Sequence, residues 1–251
     1  MKNRRGAHVG MILSFVIFIL FIMFIYIIVQ PAVNTGEDKK ILLETLKAKL
    51  IENVSENLTS ASVNIIKENP ADKYCVEFED LITNLEIDEG TKSQLVVKNA
   101  SESILAFYVH DNGLEITREN PQTDKFFKIY HSPKFGAGSG ETTPGCKKIE
   151  TADYSIGLIK NEKYIFLKSI EQLITAYNTD DEHYEQVKEQ LKVPSGREFG
   201  FNFIDNTGKK IFEVGNKVVF TNVFSEEIPI QYITNDNKAN ILSGFINIRI
   251  W

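Results

Sequence analysis

Residues 9–29 read VGMILSFVIFILFIMFIYIIV, an unbroken apolar run from Val9 to Val29 with no charged side chain. As a helix rising 1.5 Å per residue it reaches roughly 31 Å, the thickness of a bilayer's hydrocarbon core. Phe and Ile favour strands in water, but a lone segment in lipid must satisfy its own backbone hydrogen bonds, and only a helix does so. The run therefore predicts a single-pass transmembrane helix over residues 9–30, with the lipid bilayer as its partner. A cleaved secretory signal is the competing reading. Its apolar core is usually about 7–15 residues, shorter than this one, and Pro31-Ala32-Val33 is a poor small-residue cleavage site.

Charge sets the expected orientation. Lys2, Arg4 and Arg5 give residues 1–8 a charge of +3; of 28 basic residues in the chain, 25 remain against 34 acidic ones, a net of −9. Positive flanks stay inside, so the N-terminus is expected in the cytoplasm and the C-terminal part outside the cell membrane. An acidic exterior part argues against nucleic acid or anionic lipid as its ligand.

Arg4-Arg5-Gly6-Ala7 stands directly before the apolar run. This arrangement resembles the class III signal of type IV pilin-like proteins, the archaeal ones especially. The resemblance covers about thirty residues. It implies cleavage between Gly6 and Ala7 by a prepilin peptidase, an anchor kept on the mature chain, and assembly with like or related pilin subunits. Many bacterial pilins carry Glu five residues into the mature chain; Met11 stands there, and some minor and archaeal members also lack that Glu. Phe15, Phe18, Phe21 and Phe24 recur every third residue. That stripe winds around the helix, facing lipid or partner helices. No GxxxG dimer motif is present.

Beyond the anchor, Pro31 and Gly36 predict a bend, and Thr35 with Asp38 resembles a helix start. Leu42/Leu43, Leu46, Leu50, Val54 and Leu58 then predict an amphipathic juxtamembrane helix to about Ser60, within residues 31–66. Residues 67–251 are long enough for a real core and read as an α+β head. Strands are expected over Tyr74–Glu79, Gln94–Lys98, Ile104–Val109, Leu114–Thr117, Phe126–His131, Tyr154–Ile159 and Tyr164–Leu167, with turns at Asp111-Asn112-Gly113 and Asn161-Glu162. Ser169/Gln172 and Thr179/Glu182 match capping boxes of a helical insertion that Pro194 stops. Phe199, Phe201 and Phe203 alternate with polar or small residues, Asn206-Thr207-Gly208 turns into Lys210–Val214, and Val218–Phe220, Ile228–Ile233 and Ile246/Ile248/Ile250 continue the pattern. Period-two patterning in short segments predicts a mostly antiparallel sheet.

Chemistry is sparse. Cys75 and Cys146, the two cysteines, either pair outside the cytoplasm or leave Cys75 as a small core residue; the compartment favours pairing. Residues 135–142, FGAGSGET, lack the Gly-Lys-Ser/Thr of a phosphate loop and the context of a nucleophile elbow, and read as a surface loop. His110, His131 and His183 show no metal-ligand spacing, and no cofactor motif is found. Asp180-Asp181-Glu182 suits a helix N-terminus better than a calcium loop. Asn53, Asn57 and Asn99 head glycosylation sequons. Three functions follow in order: a non-enzymatic pilin-like subunit, a signal-anchored binding module or receptor, and a membrane-tethered hydrolase using His110 or His131.

Overall fold

The computed structural model describes residues 5–68, 73–138, 145–215 and 223–251, without the side chains of residues 5–9 and 29–38. Its dominant feature is one helix, α1, Arg5–Val54. The break expected at Pro31–Gly36 is not there. A proline inside a helix forfeits one intrahelical bond and its ring crowds the preceding turn, for about 3 kcal/mol. Stopping and restarting would instead orphan several N–H and C=O groups on each side. Gly36 adds only about 1 kcal/mol relative to Ala.

The helix also stops earlier than its leucines predict. Strand β1, Ser55–Ile65, follows Val54 directly. Leu58, read as one more helical turn, is a strand residue. Spacings of four from Val54 to Leu58 fit a helix, but Ala61, Val63 and Ile65 are buried at alternate positions, as a half-buried strand requires.

The remaining elements are β2 (Cys75–Phe78), α2 (Leu81–Asn84), β3 (Leu95–Asn99), β4 (Ile104–Leu105), β5 (Phe107–His110), β6 (Gly113–Thr117), β7 (Phe126–His131), β8 (Lys147–Ile149) and β9 (Tyr154–Ile156). After them come β10 (Lys160–Phe166), α3 (Leu167–Thr179), α4 (Asp181–Gln190), β11 (Phe199–Asp205), β12 (Lys210–Val214), β13 (Phe224–Ile233) and β14 (Ile241–Ile250). The larger sheet runs β12-β11-β14-β13-β10-β1-β7-β3-β4, with β9 also on β1; the smaller runs β5-β6-β2-β8. Pairing is antiparallel except at β10–β13 and β2–β8, so the chain is α+β and sheet-rich, with an apolar N-terminal helix.

Three buried clusters form; β1 supplies Ala61, Val63 and Ile65 to the second and Leu58 to a small third one with Phe135, Phe166 and Ile233, and reaches the first through its pairing with β10. In the first, Leu43, Leu46, Leu50 and Val54 form one stripe of α1 and pack with Phe199, Phe201 and Phe203 of β11 and Ile246, Ile248 and Ile250 of β14. Those strand residues are direct neighbours, Phe199 opposite Ile250, Phe201 opposite Ile248 and Phe203 opposite Ile246. Each helix residue contributes roughly 1.5–3 kcal/mol by burial. Helices α3 and α4 close this core, with the Tyr177 hydroxyl donating to the Phe199 carbonyl at 3.1 Å. In the second, β1 beyond Thr59 pairs with β7 and β9, and the smaller sheet covers it through Val76, Phe78, Leu114 and Ile116.

Several local expectations change. Ile104–Val109 is two strands in different sheets, separated at Ala106. Asn161 and Glu162 lie inside β10, opposite Thr59 and Leu58 of β1, instead of forming a turn. Helix α3 starts at Leu167 without a side-chain cap, and Ser169 is buried with its hydroxyl unpaired among the described residues. Asp180, not Thr179, caps α4 by accepting from the His183 backbone N–H at 2.8 Å. Val218–Phe220 lies outside the described residues.

Candidate functional sites

The segment Gly10–Ile28 is long and apolar enough to cross a membrane, and none of it is buried against the head. Phe15, Phe18, Phe21 and Phe24 are all exposed. Gly6 and Ala7 lie in the first turns of α1. The side chains of Val9 and Val29 fall outside the described residues.

Cys75 and Cys146 form a disulfide with Cα atoms 4.6 Å apart. It fastens the start of β2 to the chain entering β8, which pair in parallel from Val76 opposite Lys147. Asn53 and Asn57 are exposed, at the end of α1 and on β1. Asn99 is 3 % exposed, and its side-chain carbonyl accepts the N–H groups of Ser101 and Ser103, both at 3.0 Å.

The glycine-rich stretch is described as far as Gly138, and Ser139–Thr142 lies outside the described residues. Phe135 is buried against Phe166, while the Gly136 N–H donates to the Asn237 side chain at 3.0 Å and the Gly138 N–H to the Ser93 carbonyl at 2.7 Å.

The three histidines with described side chains lie in three environments. His183 is exposed beside Asp180, with 2.7 Å between its Nδ1 and the carboxylate. The backbone N–H of His183 is the largest influence holding the Asp180 pKa below the ordinary carboxylate value. His131 is buried, with Nε2 3.0 Å from the Thr91 hydroxyl. Desolvation pushes its pKa down, since a charged imidazole loses its water there.

His110 is placed differently. It ends β5 before the turn in which Asp111 takes a left-handed φ of 44°. Its Nε2 lies 3.4 Å from a carboxylate oxygen of Glu77 on β2 and 3.4 Å from one of Glu115 on β6. Glu77 and Glu115 are direct cross-strand partners. Lys148 of β8 approaches Glu77 at 3.7 Å, and the Tyr108 ring stacks beside His110 at 6.2 Å between centroids. Gly113 admits the imidazole: a Cβ there would sit 3.2 Å from His110 Cε1. The hairpin signal Asp111-Asn112-Gly113 brings His110 and Glu115 to one face of β5–β6, so half of this cluster could have been read from sequence. Glu77 joins only through the order β5-β6-β2, which no local signal carries.

An ion pair lies at the far end of the second core. Arg118 is held by Glu68 through two bonds of 2.8 and 2.9 Å, with both side chains fully buried, and it also donates to the carbonyls of Lys73 and Pro121. Its role in this fold is structural, tying the chain after β1 to the β6–β7 connection.

Comparison with family models, with curated proteins and with solved structures finds no match to this chain.

Proposed function

We propose that this chain is a single-pass, membrane-anchored, non-enzymatic protein of the type IV pilin-like class, a minor filament or surface-assembly subunit. One observation carries the reading. Helix α1 is continuous, with an exposed apolar N-terminal part and a C-terminal part packed on an antiparallel sheet. Such a helix serves two solvents at once: lipid for Gly10–Ile28 and a protein core for Leu43–Val54.

The basic leader and Gly6-Ala7 support processing by a prepilin peptidase. The positive flank supports a cytoplasmic N-terminus with the head outside, and the disulfide favours an oxidising compartment for the head. In this reading the partners are the bilayer, the peptidase and like or related pilin subunits, and the acidic head disfavours nucleic acid.

Mass spectrometry of the protein extracted from membranes of a host with the peptidase tests it. A mature chain beginning at Ala7 is expected. An intact Met1–Gly6 leader refutes pilin-type processing and leaves the signal-anchored binding module or receptor. A head protected from external protease in intact cells refutes export itself.

A further inference from the structure

We propose that Glu77, His110 and Glu115 form a binding site for a divalent transition metal of the zinc type. The three donors come from three adjacent strands of the smaller sheet and lie within 4.8 Å of one another. They are largely shielded: side-chain exposure is 18 % for Glu77, 12 % for Glu115 and 33 % for His110.

The spacing favours a shared ion over direct contact. His110 Nε2 is equidistant at 3.4 Å from the two carboxylates, beyond the roughly 2.7–3.2 Å of a good N–H···O bond. A single Nε2–H shared between both oxygens at this distance would make two long, weak hydrogen bonds. A metal accounts for both approaches. With ligand distances of about 2.05 Å, the edge of a zinc tetrahedron is about 3.3 Å, close to the 3.4 Å seen on each side of the imidazole. An octahedral ion with similar distances would need edges near 2.9 Å.

Charge points the same way. Glu77 and Glu115 are directly opposed across β2 and β6, and like charges so placed repel. Lys148 approaches Glu77 at 3.7 Å but is 75 % exposed, and exposed pairs contribute little. A divalent cation among the donors would relieve that cross-strand repulsion directly. The sheet is already braced for it: the disulfide lies beside Glu115, whose carboxylate comes within 4.8 Å of both sulfurs. Paired as a disulfide, those sulfurs supply no thiolate, so the ligands are one nitrogen and two oxygens, leaving a fourth position for solvent. This inference stands independently of the membrane reading.

The test is calorimetric titration of chelator-stripped, disulfide-intact full-length protein with Zn²⁺ alone. One saturable equivalent is expected, with at least tenfold weaker binding in H110A and in the near-isosteric E115Q. Co²⁺ should give the visible bands of a tetrahedral site, and these should be lost in both variants. Circular dichroism identifies a variant that fails to fold, and the other then decides. Absence of a saturable equivalent, unchanged affinity in a folded variant, or equal binding of Mg²⁺ would each overturn the proposal.

Discussion

Replacing both cysteines, C75A/C146A, should destabilise the whole head, although the disulfide lies in one half of it. The bond closes a loop with a sequence separation of 71. The chain-entropy relation gives about 4.4 kcal/mol at 25 °C for a loop of that length, within the roughly 2–5 kcal/mol lost when native disulfides are removed from small domains. With a urea m-value of about 2–3 kcal/mol/M, the midpoint should fall by roughly 1.5–2.2 M. Two probes make the measurement informative. Far-UV circular dichroism averages over the helices and both sheets, while fluorescence of Trp251, the single tryptophan, reports the half away from the disulfide.

Trp251 pairs with Glu198 through both backbone groups, next to β11 and away from the disulfide. The two halves share β1, which pairs with β10 over Ser55–Ser60 and with β7 over Thr59–Asn64. Because β1 supplies core residues to one half and is hydrogen-bonded to β10 of the other, the halves should unfold together and both probes should shift by the same amount. A midpoint change below about 0.5 M would refute the loop-entropy argument at this site. A shift in dichroism with an unmoved tryptophan transition would refute the coupling through β1.

Leu46→Ala, at a position with no exposed surface, should cost about 2–5 kcal/mol by cavity formation, while Ile41→Ala on the same helix, at 66 % exposure, should stay within about 0.5 kcal/mol; urea unfolding of both variants checks the contrast. Glu68→Gln should cost about 3–5 kcal/mol by leaving buried Arg118 without its charge partner, read as a fall in unfolding midpoint. Because burial lowers the His131 pKa, the unfolded chain takes up a proton near pH 6.5 that the native state refuses. Stability should therefore fall as pH drops below about 6.5, by at most about 1.4 kcal/mol per pH unit until the native pKa is reached. Denaturation of H131Q and wild type between pH 5 and 8 should show that component of the slope disappearing in the variant.

What could be read from sequence here was what depends on neighbours along the chain. The stripe Leu43, Leu46, Leu50 and Val54 declares its helix face by spacing. The triplets Phe199/Phe201/Phe203 and Ile246/Ile248/Ile250 declare strands and meet across one register. Asp111-Asn112-Gly113 marks the hairpin that brings His110 near Glu115. The misreadings arise where a local preference competes with a nonlocal one. Pro31 carries a real helix penalty, yet breaking the helix would orphan more backbone groups than the proline does. Ser169 and Gln172 have the letters of a capping box, but α3 had already begun at Leu167 and Ser169 turns inward. Residues 104–109 look like one strand because nothing local records that Ile104 pairs in the larger sheet and Phe107 in the smaller.

The passage from Val54 to Ser55 links the long N-terminal helix to the rest of the molecule. No loop intervenes: α1 ends in a buried valine and the next residue already pairs with Ile165 of β10. A head on a flexible tether would need polar, glycine-rich residues at that point. Here the helix is docked by Leu43, Leu46 and Leu50 before it ends, and the emerging strand is flanked on both sides. Displacing the head relative to the last turns of α1 would therefore mean breaking the first core. A mount of this kind holds the head in a fixed orientation on its helix, the property a subunit needs if neighbouring helices are to set the spacing of neighbouring heads. It also places the Glu77–His110–Glu115 face on the smaller sheet, which packs against the second core and leaves the one that receives α1 to the larger sheet. A metal bound there and the packing of α1 would thus draw on different sheets of the molecule.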